Sequence, residues 1–178
     1  SCAKISPLEG GEKDTLSPVL IYSDPINHST NFKEKVFSFE FDEIIDASEL
    51  SQKLIISPYL NNTPELKFKK NNLLLTFDSS FKENTTYILN FADGVKDITE
   101  GNPAKNTKLV FSTGNKIDSS FVSGYVIDPL KNEFVEGALV VLYNKKDSFG
   151  LFNKKPLYFS FSNKDGGFLI ENIKSGEY

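Results

Sequence analysis

The chain has 178 residues and a net charge of −4, and it contains no Arg, Met or Trp. Without Arg it lacks the bidentate side chain most used on phosphates and guanine edges, so we expect no nucleic-acid partner. One Cys and one His exclude a multi-histidine metal site and leave His28 as the sole histidine that could activate a nucleophile. No run of about 18 apolar residues is present to span a bilayer as a helix.

The N-terminal segment begins with Ser1-Cys2 and continues as a polar stretch with Gly10, Gly11 and Pro7. This composition predicts a flexible tether, assigned to residues 1–17. Cys2 has two interpretations, an exposed free thiol or a lipidated cysteine. Ser1-Cys2 resembles the end of a bacterial lipoprotein signal peptide, which implies lipidation of Cys2 and stable anchoring through two or more acyl chains. Because residue 1 is not Met, we also expect that residues upstream were removed.

Short apolar stretches follow from Pro18, several of them alternating with polar residues. Phe37, Phe39 and Phe41 share one face of such a stretch, and Ser38 and Glu40 share the other. Asn71-Asn72 between two stretches indicates a hairpin turn. Seven strands in under 100 residues predict an antiparallel β-sandwich over residues 18–115. The predicted strands are 19–22, 35–41, 54–56, 66–69, 73–77, 86–91 and 108–113.

A second β segment follows a short polar stretch, residues 115–120, which we interpret as a hinge. Its predicted strands are 121–128, 138–143, 157–162 and 168–170, with a turn at 163–167. The predicted fold class is therefore all-β, with two consecutive β-sandwiches after the tether. The second sandwich covers residues 119–178 and has a small core. We expect it to be incomplete, with the chain continuing beyond Tyr178.

Few side chains suggest chemistry. Asp42, Glu43 and Asp46 could gather at one end of the sandwich and bind Ca²⁺, but they lack the alternating Asp/Asn spacing of a dedicated loop. Asp46 and Glu49 have the spacing of a capping box, which predicts that Asp46 caps a short helix. His28 lies in a loop without a partner in register. We therefore predict no catalytic residue, no metal site and no cofactor.

Five motifs in residues 18–114 occur in a fixed order. They are Pro-Val-Leu to Asp-Pro at 18–25, Phe-Asp-Glu-Ile-Ile-Asp at 41–46, Phe-Lys-Glu-Asn-Thr-Thr-Tyr-Ile-Leu at 81–89, Gly-Val-Lys-Asp-Ile-Thr-Glu-Gly-Asn at 94–102 and Phe-Ser-Thr-Gly at 111–114. This series resembles the bacterial Ig-like domain of surface-layer and envelope proteins. Within it, Asp97 and Asn102 suit a tight turn, with Gly101 at positive φ.

The second β segment has a pattern of its own: Val-Ser-Gly-Tyr-Val at 122–126, Glu-Gly-Ala-Leu-Val-Val-Leu at 136–142, Asn-Lys-Asp-Gly-Gly-Phe at 163–168 and Ile-Lys-Ser-Gly-Glu-Tyr at 173–178. It resembles the carboxypeptidase-regulatory-like, prealbumin-type β-sandwich. The resemblance implies an accessory module without catalytic residues. The missing last strands would leave a sheet edge to be covered.

The order of tether, Ig-like module and regulatory-like module resembles envelope lipoproteins of the Bacteroidota. In that phylum Asp-Ser/Thr-apolar is an O-glycosylation signal, so the resemblance implies a glycan on Thr15, within Asp14-Thr15-Leu16. The alternative is an ordinary polar threonine in a linker. Surface export there favours acidic residues just after the lipidated cysteine. Residues 3–6 contain none, which favours the periplasmic face without deciding it.

These observations predict a non-enzymatic lipoprotein anchored in the outer membrane through lipid on Cys2. Its predicted role is a structural or docking subunit of a larger cell-envelope assembly, such as an outer-membrane barrel complex, with other envelope proteins as partners. Two alternatives remain open. One is a carbohydrate-binding or adhesive surface module, and the other is an accessory region of an enzyme that lies beyond residue 178.

Overall fold

The computed structural model describes residues 14–147 and 155–178 and confirms the all-β fold class. Of the predicted tether, residues 1–17, only residues 14–17 are described, so Cys2 lies outside the described residues. The elements before residue 115 are β1 Leu20–Asp24, β2 Val36–Phe41, β3 Ile45–Asp46, α1 Leu50–Lys53, β4 Ile55–Ser57, β5 Glu65–Lys69, β6 Asn72–Thr76, β7 Thr86–Asn90, β8 Lys96–Asp97 and β9 Lys108–Ser112.

Residues 18–114, called the Ig-like module below, form two main antiparallel sheets. One has the strand order β1-β2-β6-β5 and the other has the order β4-β7-β9, while β3 and β8 make a two-stranded pair. The segment 27–32 runs beside β9, where the amide of Phe32 donates to Ser112 O at 3.0 Å and the amide of Ser112 donates to Ser29 O at 2.9 Å. All seven predicted strands of this module are present.

The core of the Ig-like module follows from the alternation seen in the sequence. Phe37, Phe39 and Phe41 of β2 are buried, as are Leu73 and Leu75 of the adjacent β6. They pack against inward-facing side chains of the other sheet: Tyr87, Leu89, Leu109 and Phe111. The rings of Phe37 and Phe111 lie 5.0 Å apart across this layer. Such aromatic pairs stabilise a fold by about 0.5–1.5 kcal/mol beyond the area that they bury.

Two local predictions need correction. The hairpin between β5 and β6 exists, but Lys69 pairs with Asn72, so its two-residue turn is Lys70-Asn71 rather than Asn71-Asn72. Lys70 takes the positive φ of 56° that this turn requires. The prediction that Asp46 caps the helix is wrong. Asp46 ends β3, and its carboxylate accepts from the amide and hydroxyl of Ser48 at 2.9 and 3.1 Å.

Residues 115–178, called the C-terminal region below, hold the remaining strands. These are β10 Ser120–Tyr125, β11 Ile127–Asp128, β12 Glu133–Phe134, β13 Leu139–Leu142, β14 Tyr158–Phe161 and β15 Gly167–Ile173. They form three antiparallel pairs: β10 with β15, β11 with β12, and β13 with β14. Among residues 115–147 and 155–178, the buried apolar cluster consists of Tyr158, Ile170 and Ile173, with partly buried Val140, Leu142, Leu157 and Phe168 against them.

The predicted turn before β15 depends on one glycine. Asn163 Oδ1 accepts from the amides of Asp165 and Gly167 at 3.0 and 2.9 Å. Gly166 has a φ of 69°, and a Cβ there would lie 2.7 Å from Val126 O. Only glycine meets both demands, since other residues rarely take this φ and would clash. The turn thereby sets the register in which β15 meets β10.

Candidate functional site at the start of the Ig-like module

Thr15 lies in an exposed segment that leads into the Ig-like module. The amide of Leu16 donates to Asp14 Oδ1 at 2.9 Å, which closes a short turn around Thr15. All three residues are exposed, so the threonine is accessible to a modifying enzyme. The contacts of the described residues do not bear on whether Thr15 carries a glycan, so glycosylation of Thr15 stays a prediction.

Asn102 fixes this segment against the module. Its side-chain amide donates to Asp14 O at 3.2 Å and to Leu16 O at 3.1 Å, on both sides of Thr15. Pro18, two residues after Leu16, is also bonded to the module: its carbonyl accepts from the amide of Lys105 at 2.7 Å. The sequence pattern predicts a turn at Asn102 but not these two hydrogen bonds, which we call the Asn102 clamp, because its partners lie 86 and 88 residues away. The segment from residue 14 onward is thus part of the folded module.

Asp42 completes the attachment from the other side. The amide of Val19 donates to Asp42 Oδ1 at 2.7 Å, and the amide of Asp42 donates back to Val19 O at 3.1 Å. Asp42 belongs to the Phe-Asp-Glu motif at 41–46, so the motif has a structural use at this position. It holds the strand that receives the N-terminal segment.

The loop 97–102 is built around one carboxylate. Asp97 Oδ1 accepts from the amides of Thr99, Glu100 and Gly101 at 2.7–2.9 Å, and Oδ2 accepts from the amide of Asn102 at 3.1 Å. Desolvation of this carboxylate opposes ionisation, but the hydrogen bonds from these amides outweigh it and lower the pKa of Asp97 to about 2. Gly101 has a φ of 77°, as the sequence predicts. Asp97 therefore orders the loop from which Asn102 reaches the N-terminal segment.

Several carboxylates lie near this loop. Partial burial, followed by the negative charges of Asp42, Asp97, Asp14 and Glu100, raises the pKa of Glu43. Among residues 14–147 and 155–178, however, no three His, Cys, Asp or Glu side chains form a group that could hold a metal ion. Asp46, the third residue of the Ca²⁺ hypothesis, contacts Ser48 instead. The cluster therefore provides an acidic surface beside the point where the N-terminal segment arrives.

His28 is exposed in the loop that runs beside β9. Its backbone takes a φ of 65°, and its amide donates to Val110 O at 2.6 Å. This backbone bond gives the residue a structural position at the sheet edge.

A second surface feature is a shallow groove of about 600 Å³ on the C-terminal region. The side chains of Tyr125 and Phe161 along it are exposed, and the polar side chains of Asn163, Asp165 and Ser160 line it as well. No local sequence pattern predicts this groove, because its residues come from three different strands and a turn. Elsewhere in the described part of the chain, no helix has the length and apolar character needed to span a bilayer.

The two packed antiparallel sheets, their shared aromatic core and the Asp97 loop define an Ig-like β-sandwich. The family model for the bacterial Ig-like domain matches residues 14–113, more than half of the chain. The chain therefore belongs to the bacterial Ig-like domain family. A domain of this kind is a structural or adhesive module rather than a catalytic one, and the sequence resemblance to it is confirmed.

Solved structures similar to this chain include the N-terminal part of the bacterial S-layer protein SbsC. That comparison has 17% identity, a TM-score of 0.40, and covers 90% of this chain and 33% of the S-layer chain. An L,D-transpeptidase from Mycobacterium smegmatis has 11% identity and a TM-score of 0.40, over 81% of this chain and 75% of that chain. The chain thus spans about a third of the S-layer chain. None of the curated proteins matches it.

Proposed function

We propose that the protein is a lipid-anchored outer-membrane lipoprotein, of the kind found in the Bacteroidota, that acts as a structural or docking subunit of a larger envelope assembly. The observation that carries the proposal is the bacterial Ig-like family match over residues 14–113, which follows Cys2 in a sequence that resembles the end of a lipoprotein signal peptide. The acyl chains on Cys2 would provide the membrane attachment, and the β modules would provide the surfaces for other envelope proteins.

The clamp at Asn102 limits the distance between the lipid on Cys2 and the Ig-like module. Residue 14 is fixed on the Ig-like module, so the spacer from the lipid is the stretch between Cys2 and Asp14. At full extension this stretch reaches about 40 Å. The Ig-like module would therefore work close to the membrane surface, within reach of the periplasmic or extracellular parts of a membrane protein.

The anchor is tested by intact mass spectrometry of the N-terminal peptide from the protein expressed in its native envelope. We expect diacylglycerol and an additional acyl chain on Cys2, and recovery of the protein with the outer membrane. A Cys2→Ala variant is the matched control and should leave the membrane fraction. An unmodified Cys2 would remove the anchor from the proposal.

The docking role is tested by affinity purification of the lipidated full chain from solubilised outer membranes. We expect one or more outer-membrane proteins in stoichiometric amounts, with reduced recovery from the Cys2→Ala strain. Recovery of the chain alone, under conditions that keep known envelope complexes intact, would contradict this role and leave the anchor unaffected.

The glycan on Thr15 belongs to the same proposal. Because Thr15 is exposed between two clamped carbonyls, its hydroxyl can be modified without disturbing the fold. We expect the peptide with Thr15 to carry a glycan mass that a Thr15→Val variant lacks. Thr30 is also exposed but follows Ser29 rather than an aspartate, so Thr30→Val is a matched control that should keep the glycan mass.

A second candidate function, carbohydrate binding or adhesion, is favoured by the groove on the C-terminal region. Exposed aromatic rings beside carboxylate, amide and hydroxyl groups suit the faces and hydroxyls of sugars. Residues 14–178 would be applied to a glycan array together with Tyr125→Ala and Phe161→Ala. Selective binding lost in both variants, but kept in Tyr22→Ala on the other module, would support this candidate. An array without selective binding would exclude it.

A further inference from the structure

The C-terminal region covers the outer face of the β4-β7-β9 sheet. Outward-facing Thr86 and Ile88 of β7 are 1% and 9% exposed, although both point away from the core of the Ig-like module. Ile88 lines a cleft of about 280 Å³ together with Phe159 and Ile170 of the C-terminal region. Domains of one chain move relative to each other unless the interface between them is large and hydrophobic. Here directional hydrogen bonds add to the apolar contact between the two parts.

Asp118 is the centre of these contacts. The hydroxyl of Thr86 donates to Asp118 Oδ2 at 2.9 Å, and the amide of Asp118 donates back to the same hydroxyl oxygen at 2.8 Å. The side-chain amide of Asn172, in β15, donates to Asp118 O at 2.8 Å. One linker residue thus bonds to a strand of each region. The sequence predicts a hinge at residues 115–120, whereas these contacts fix its middle.

Further bonds cross at both ends of the interface. Lys174 Nζ donates to Asn84 O at 2.8 Å beside Asp118, and Lys108 forms an ion pair with Glu171. At the opposite end the amide of Tyr59 donates to Leu157 O at 2.8 Å. These contacts lie at separated points and orient the two parts, but the side chains of Lys108 and Glu171 are 42% and 41% exposed and exchange with water more easily than the buried Thr86 hydroxyl.

We propose that the reciprocal bonds between Thr86 and Asp118, with Asn172 behind them, form a joint that locks the C-terminal region onto the Ig-like module. The two parts then move as one rigid arm. Because Thr86 is almost fully buried, water can replace Asp118 as the partner of its hydroxyl only when the interface opens. The bond therefore favours the arrangement in which the two parts are in contact. The inference concerns the chain itself and goes beyond the proposed function.

The experiment measures the distance between the two parts in the full chain. Spin labels are placed at Lys67→Cys on β5 and Lys164→Cys in the turn before β15, in a Cys2→Ser background. Pulsed electron resonance then gives the distance distribution. We expect one narrow peak for this background. Thr86→Val removes the hydroxyl with little change in shape and should broaden the peak most. Asp118→Ala, which keeps the backbone bond, should broaden it less.

Two controls separate the joint from general destabilisation. Asp118→Asn keeps an oxygen that accepts the Thr86 hydroxyl, and Asp78→Ala removes an exposed carboxylate of the Ig-like module; both should keep the narrow peak. Circular dichroism confirms that each variant is folded, and if Thr86→Val is not, Asn172→Gly replaces it, since glycine tolerates the φ of 55° at this position. A broad peak before any joint substitution, or a narrow peak in both disrupted variants, would overturn the proposal. Equal broadening in Asp78→Ala would overturn it as well.

Discussion

The Ig-like module and the C-terminal region have similar alternating sequences but bury them to different extents. Among the described residues, sixteen apolar side chains of the module form one buried cluster, whereas three of the C-terminal region do so. The difference arises from the sheets. In the module two sheets of three and four strands face each other, while the C-terminal region has two-stranded pairs. Alternation thus produces a closed core only where a second sheet covers the apolar face.

The two parts also differ at their surfaces. The edge strand β5 of the module carries Lys67 and Lys69, and charged side chains on an edge discourage pairing with other chains. Both parts expose large apolar side chains, but the C-terminal region does so more densely, with Phe121, Tyr125 and Leu139 among them. Its stability must therefore come partly from the Ig-like module that it covers.

The largest expected effect comes from dividing the chain. Residues 14–116 should fold alone and unfold cooperatively, because their core is complete. Residues 117–178 alone should lack a cooperative transition, since isolated two-stranded sheets are marginally stable in water. Amide NMR spectra and thermal circular dichroism of the two fragments would check this. A dispersed spectrum from residues 117–178 would show that the region does not need the module.

The next effect is a cavity in the aromatic core. Phe111 is fully buried, and its ring lies 5.0–5.5 Å from those of Phe32, Phe37, Phe81 and Tyr87. Phe111→Ala should lower the free energy of unfolding by about 3–5 kcal/mol, because the cavity can close only in part. Urea unfolding of the full chain measures this.

Phe121→Ala is the matched control for the core substitution, as Phe121 is 65% exposed. Its effect should stay within about 0.5 kcal/mol, the range of ordinary surface substitutions. Equal effects of the two changes would mean that the C-terminal region packs Phe121 in solution and that the difference between the two parts is smaller than the structure indicates.

Much of the fold could be predicted from sequence, because the strongest signals were local. The alternation in 35–41 and the Asp-Gly-Gly turn at 165–167 each report their own structure. The two-residue strands β3, β8, β11 and β12 are too short for any periodicity to reveal. The turn at Lys70-Asn71 was placed one residue late, since the pattern of small polar residues does not say which of them takes positive φ.

The candidate site was less predictable for a different reason. The clamp of Asn102 on residues 14–16 and the bond between Thr86 and Asp118 join positions far apart in the chain, which no local pattern encodes. Cys2 and Thr15 were recognised through a resemblance to processing signals, and their modification stays a prediction. The loop 97–102 lies between these cases: its glycine and aspartate predicted a turn, and the fold shows what that turn holds.

The third expected effect separates the ordered Asp97 loop from an ordinary turn. Asp97→Asn replaces one carboxylate oxygen with an NH₂ group. This group would face a backbone N–H donor without an acceptor between them, so the melting temperature should fall by several degrees. The folded pKa of about 2 lies below the value of about 3.9 for a free carboxyl. The stability from ionised Asp97 is therefore present above about pH 4 and is lost as the pH falls from there towards 2.

Thermal melts of the full chain between these pH values would measure this loss. The drop in melting temperature should be smaller in Asp97→Asn than in the unsubstituted protein. Asp165→Asn, in the exposed turn of the C-terminal region, should behave like the unsubstituted protein. Parallel curves for Asp97→Asn and the unsubstituted protein would mean that other carboxylates carry the acid sensitivity.

The smallest expected effect concerns exposed charges on the Ig-like module. Glu49 accepts from Lys96 at 2.9 Å and from Lys53 at 3.1 Å, and Lys53 also donates to Asp93. The hydrogen bonds from Lys96 and then Lys53 lower the pKa of Glu49. Because these groups are solvated, Glu49→Gln should reduce the melting temperature only slightly. The reduction should disappear at about 1 M salt, where the screening length is about 3 Å.

Glu65→Gln breaks an isolated exposed pair with Lys67 and should have no measurable effect even at low salt. Glu171→Gln, which breaks the ion pair to Lys108 between the two parts, provides the sharper comparison. If the C-terminal region depends on the module, this change should affect the region's protection from amide exchange more than the melting temperature of the module. An effect of Glu171→Gln spread evenly over both parts would show that they unfold as one unit.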